Sequence, residues 1–112
     1  MQMQAKTING LTTFIVTGRL NATTAPAAES TLADAISAGA SRIVVNLAGV
    51  DLITSAGLRI LVATSKELSR QKGKLVLCEL RPAVLQVFEI SGLLTAFLVA
   101  ATEADAQALA MH

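Results

Sequence analysis

The sequence holds one cysteine, Cys78, no tryptophan or tyrosine, three phenylalanines, and a single histidine at its last position, His112. Each scarcity removes a class of function. One thiol makes no internal disulfide, and in KLVLCEL it reads as a small hydrophobe on a buried strand. No Cys/His cluster suits zinc or iron, and no acidic loop has calcium-site spacing. Neither G-x-x-x-x-G-K nor G-x-G-x-x-G occurs, so no metal and no cofactor is expected. Three phenylalanines offer no platform for stacking bases, and the net charge is only +1, although the basic residues crowd between Arg59 and Arg81; nucleic acid is not an expected partner. No window approaches the roughly 18 continuous apolar residues of a membrane span. MQMQAKT lacks the basic start and apolar stretch of a secretory signal. The expectation is a cytoplasmic protein without membrane insertion.

Charge is also scarce, at 15% of residues, whereas 53% are hydrophobic. That balance favours a packed core over disorder. A length of 112 residues fits one domain spanning 1–112, with no linker and no internal repeat.

Residues 2–8 and 12–17 flank Asn9-Gly10, the dipeptide best suited to a tight hairpin turn. Thr23-Thr24-Ala25-Pro26 supplies a hydroxyl cap and an early proline for a helix over about 24–38, stopped by Gly39. Arg42–Leu47 is a β-branched run expected of a strand covered on both faces, and Gly49 and Asp51 mark a loop, 48–57, after it. Leu58, Leu61, Val62, Ser65 and Leu68 or Ser69 share one face of a helix over about 56–71, with Arg59, Lys66 and Arg70 on the other and Gly73 closing it. Lys74–Leu80 reads as a second buried strand, Pro82 opens a helix that Gly92 closes, and a strand near Thr95–Val99 precedes a helix that Thr102 caps with Asp105 three residues on. Short connections between parallel strands force right-handed crossovers. The expected fold is α/β: a mixed, mostly parallel sheet opened by an N-terminal hairpin, with about four helices.

In open parallel sheets, ligands and partners meet the loops at the carboxyl ends of strands. AGVDLITSAG is such a loop and sets Thr54 and Ser55 where a helix begins. One hydroxyl there can cap the free first-turn amides. A phosphate on Ser55 would equally be favoured by the positive end of the helix dipole. Gly57 either relieves packing or lets another backbone approach, and Arg59 points outward one turn along. Enzyme activity is not expected: Ser55 lacks the glycine two residues before it that a G-x-S-x-G turn requires, and His112 is the only imidazole. Asp34 with Asp51, or Glu79 with Glu89, show no spacing that marks an acid/base pair.

IVVNLAGVDLITSAGLRILV resembles the signature of STAS domains, and especially of bacterial anti-sigma-factor antagonists; NATTAPA and ELRPAVLQVFEISGLLTAF match that family's order, so the resemblance covers nearly the whole chain. It implies a partner-switching cycle. The unphosphorylated antagonist binds an anti-sigma factor with serine kinase activity, freeing a sigma factor for transcription; phosphorylation ends the interaction and a phosphatase acting on phosphoserine restores it. The phosphorylated hydroxyl lies two residues before the motif glycine, which here is Ser55. The resemblance implies docking through Asn21, Thr23, Thr54, Ser55, Ala56, Gly57, Leu58 and Arg59. Two positions depart from the pattern. Thr54 stands where antagonists often have Asp, and Asn21 where they often have an acidic residue, so negative charge is lost near the site and Thr54 becomes a second candidate acceptor. STAS domains also serve as accessory subunits of lipid-transport ATPases and in sensory complexes, which is the alternative function.

Overall fold

The computed structural model describes residues 1–112. Strand β1 (Gln2–Ile8) turns back through Asn9 and Gly10 onto β2 (Leu11–Leu20), and the two turn residues have φ of 52° and 80°. Positive φ at both positions is the turn whose twist matches that of paired strands, and glycine adopts it without a Cβ clash. Then follow α1 (Ala25–Ser37), β3 (Arg42–Ile53), α2 (Ser55–Arg70), β4 (Lys74–Cys78), α3 (Pro82–Ile90), a 3-10 turn at Leu94–Ala96, β5 (Leu98–Ala100) and α4 (Glu103–Ala110). The sheet runs β1-β2-β3-β4-β5, with β1 antiparallel to β2 and the remaining neighbours parallel.

This order decides where the helices lie. Each of the three crossovers steps to the adjacent strand in the same direction, and a right-handed connection then places α1, α2 and α3 on one face. That face holds a core of 20 buried residues, in which Phe14, Val45 and Leu77 from the sheet meet Leu32, Leu61 and Phe88 from the helices. Only α4, which follows the last strand, is free to cover the opposite face. There Ala106 and Ala110 pack on Val44, Val76 and Cys78. Burial pushes the Cys78 thiol up to about 12, with Glu79 and Glu103 adding to the shift.

Polar bonds supplement this thin second core. Asn46 Nδ2 donates to Glu103 Oε1 at 2.9 Å, Glu79 Oε2 accepts from the Glu103 amide at 2.9 Å, and Gln107 Nε2 donates to Thr13 Oγ1 at 3.2 Å. The expected Thr102 cap is present, its hydroxyl accepting from the Asp105 amide at 3.1 Å.

The loop expected at 48–57 is strand as far as Ile53. Ala, Gly and Asp disfavour strands in isolation, but β2 continues to Leu20 and supplies a pairing partner throughout. Two bulges absorb the mismatch. The register runs Ile15 to Asn46, then Thr17 to Gly49, and later Gly18 to Val50, then Arg19 to Leu52, so β3 carries one extra residue each time. Ala48, in the first bulge, is held by side chains: Asn46 Oδ1 accepts from its amide at 2.9 Å and Arg81 Nε donates to its carbonyl at 2.6 Å.

Three smaller boundaries also differ from expectation. Strand β4 stops at Cys78 because Glu79 takes a φ of 60°. The strand expected near 95–99 begins only at Leu98, after the 3-10 turn. At the end of α2 it is Lys72, with φ of 61°, that adopts the left-handed conformation.

Candidate functional site

Three segments meet at the carboxyl ends of β2 and β3. The end of β2 leads into residues 21–24, the end of β3 presents Asp51 and Leu52, and α2 opens with Thr54, Ser55 and Ala56. They share one backbone anchor, Leu20, whose carbonyl accepts from the Thr54 amide at 2.9 Å. A bond at that point fixes the start of α2 against the last residue of β2.

Gly57 tightens the same joint. A Cβ on it would lie 2.9 Å from both the Leu20 carbonyl oxygen and Ile53 Cγ1, closer than packed atoms tolerate. The backbone that the missing side chain admits is therefore the chain's own. Gly57 is buried and Leu58 is 3% exposed within the main core, so these two expected docking residues support the site from beneath.

The expected hydroxyl caps are used differently. Thr54 is the residue before the first turn of α2, with φ −113° and ψ 178°, but its side chain caps no amide; Ser55 is already inside the helix. Thr24 likewise makes no cap bond to α1. Its hydroxyl donates to the Arg19 carbonyl at 2.6 Å and accepts from the Asn21 amide at 3.0 Å. Asn21 Oδ1 in turn accepts from the Thr23 and Thr24 amides at 3.0 and 3.1 Å. An acceptor on a short side chain, bonding its own backbone two residues on, is a local turn lock. Asn21 is thus committed to shaping the 21–24 turn.

What remains on the outside is Thr23, Asp51, Leu52, Ser55 and Arg59, all exposed, with Asn21, Thr54 and Ala56 half-buried. Leu52 is 42% exposed and was not among the residues expected from sequence. The available signal was an apolar residue beside Asp51 in the span expected to be loop; the structure makes it strand, just past the second bulge. A separate groove of about 530 Å³ lies between α1 and α2, bounded by Glu29, Ala33, Ala63 and Glu67. Hydrogen bonds from Arg70, then Gln71, hold the Glu67 carboxyl below the usual range. No three His, Cys, Asp or Glu side chains come together as a metal-binding group, and no helix is long and apolar enough to cross a membrane.

The STAS-domain pattern matches residues 2–106 of this chain. The chain belongs to the STAS domain family. This STAS domain is 41% identical over 100 residues to a protein of Bordetella bronchiseptica named as an anti-sigma factor antagonist, BtrV, covering 89% of this chain and 86% of that one. Its fold superimposes on an anti-sigma factor antagonist from Mycobacterium paratuberculosis with a TM-score of 0.89 at 25% identity, over 99% of this chain and 94% of that one. The phosphorylated form of the Bacillus cell fate determinant SpoIIAA shares the fold with a TM-score of 0.71 at 23% identity, over 94% and 96% of the two chains. As a STAS domain, it has the expected order of elements, and its motif serine lies on the exposed rim of the joint just described.

Proposed function

We propose that this STAS domain is an anti-sigma factor antagonist, that it docks an anti-sigma factor with serine kinase activity through the rim formed by residues 21–24, 51–52 and 54–59, and that phosphorylation of Ser55 switches it off. The observation that carries this reading is the state of Ser55: an exposed serine at the first position of a helix whose start is bonded to Leu20. A hydroxyl on a fixed frame can be modified without moving the backbone around it, so the added charge alone alters the surface. The antagonist named at 41% identity and the existence of a phosphorylated form on the same fold support it.

The chain contributes the nucleophile alone. The Ser55 oxygen attacks the terminal phosphorus of a nucleoside triphosphate held by the partner; the new O–P bond forms as the bond to the diphosphate breaks, and the hydroxyl proton passes to a base of the partner. The product carries close to two negative charges at neutral pH on the rim that also holds exposed Leu52. Desolvating that charge against an apolar contact opposes docking. A phosphatase hydrolyses the ester with water and returns the serine.

The untagged protein isolated from its host, with co-purifying proteins identified and phosphate mapped by mass spectrometry, tests this. A kinase-like anti-sigma factor bound to the unmodified chain, released when Ser55 is phosphorylated, is expected. Ser55→Ala should bind and stay bound in the presence of nucleoside triphosphate, and Ser55→Asp should lose binding. A transport ATPase as the stoichiometric partner, with Ser55 unmodified and Ser55→Ala assembling normally, would replace this reading with that of an accessory subunit.

A further inference from the structure

Arg59 is exposed, one helical turn beyond Ser55, and about 6 Å along the axis from it. The one ion pair in the molecule joins Arg70 and Glu67, so Arg59 has no carboxylate partner. On a helix a side chain meets those three and four positions away. For Arg59 these are Ser55, Ala56, Val62 and Ala63, and the only one that can ever bear a charge is Ser55. No other cation occurs between Asp51 and Ser65.

We propose that Arg59 is the intramolecular counter-charge for phosphorylated Ser55, so that modification both adds a dianion to the docking rim and withdraws from it the one cation of the first turns of α2. This inference rests on Ser55 being the phosphoacceptor. The order is the favourable one, with the anion N-terminal to the cation at a spacing of four, and a guanidinium bonds two phosphate oxygens at once. Before modification Arg59 is available to a carboxylate of the partner. After it, Arg59 is engaged at home.

The same spacing distinguishes the two candidate acceptors. Three and four residues beyond Thr54 stand Gly57 and Leu58, both buried, and neither has a charge to offer. A phosphate at position 54 has no cation at helical spacing, which makes Ser55 the acceptor whose product this helix is built to hold.

Phosphoserine installed at position 55 of the full chain by an expanded genetic code tests the pair without any kinase. Its second ionisation is followed by phosphorus NMR at low salt, with Arg59 intact and in Arg59→Gln and Arg59→Lys. The intact chain should ionise at lower pH than Arg59→Gln by roughly 0.2–0.4 of a unit. Arg59→Lys should retain part of the shift. In 1 M salt, where screening acts over about 3 Å, the difference should shrink, and phosphoserine at position 54 should be insensitive to Arg59→Gln. Equal ionisation at position 55 with and without Arg59 would overturn the proposal, as would equal sensitivity at position 54. A host in which Ser55 is never phosphorylated overturns the proposed function but leaves this titration unchanged, so the two failures are separable.

Discussion

The two faces of the sheet are held by different physics. Beneath α1, α2 and α3 lies a core of 20 buried residues; beneath α4 lie five, of which two are alanines and one is a thiol. The larger face is held by area removed from water, which is non-directional and shared among many side chains. The smaller one leans on individual bonds such as Glu79 to the Glu103 amide and Asn46 to the Glu103 carboxylate. The proposed switch sits at the edge of the larger face, where Leu20, Ile53 and Leu58 are all within the main core. A docking rim that must look the same to its partner each time belongs on the stiffer side, and the lighter side is where local opening is expected.

That contrast can be broken most directly by deleting a side chain from the main core. Leu77→Ala should lower global stability by about 2–5 kcal/mol, the lost burial plus the cavity left behind, with an unchanged urea m-value in equilibrium unfolding. A loss well below that range, with the midpoint hardly moved, would mean that the helical face is less tightly packed than its burial implies.

The second test works through pH. The thiol of Cys78 titrates from an ordinary value of 9.0 up to about 12 in the folded chain. Its contribution is fully present below pH 9, where the thiol is protonated in both states. As pH rises further the unfolded chain releases its proton first, and stability falls by about 1.4 kcal/mol per pH unit from this group until the folded thiol also ionises. Cys78→Ala should remove that part of the alkaline slope in denaturant midpoints measured from pH 8 upward. An unchanged slope would show that the thiol is not shielded by α4.

The smallest expected effect is the sharpest for the comparison. Glu79→Ala removes the acceptor at the first amide of α4 and should cost about 1 kcal/mol, while Glu79→Gln, which keeps an amide oxygen, should retain part of it. Hydrogen exchange should then quicken across α4 and leave α2 protected. Uniform acceleration in both helices would mean that the two faces open together.

Much of this architecture was legible from the chain alone, because its signals are local. Asn9-Gly10 states its turn type, Arg42–Leu47 states a strand covered on both faces, and Thr102 states the start of α4. The motif around Ser55 stated both the helix start and the family. What stayed hidden depends on distant partners. Ala48, Gly49 and Asp51 read as loop because nothing near them in sequence says that β2 will lie alongside. The hydroxyl of Thr24 reads as a helix cap because the Arg19 carbonyl, which it bonds instead, becomes reachable only once the turn has closed. The adjacency of Gly57 and Leu58 to Ser55 in sequence conceals the Leu20 backbone against which Gly57 packs and the core that holds Leu58. Asn46 and Glu103 are 57 positions apart, beyond any periodicity.

The two bulges of β3 set a limit on how this lineage can vary. Inward-facing residues run Ile43, Val45, Leu47, then Val50, then Ile53, spaced by two, two, three and three. Between Asn46 and Thr54 the chain is therefore counted as well as patterned. With the upstream half of β3 held in register, loss of a single residue there would bring Thr54 to the place of Ile53 and Ile53 to that of Leu52, and would turn the following helix so that a different side chain stood on the rim. Substitutions at Ala48 or Leu52 leave that count intact, whereas a deletion does not. Relatives that keep the switch should differ here in letters and agree in length.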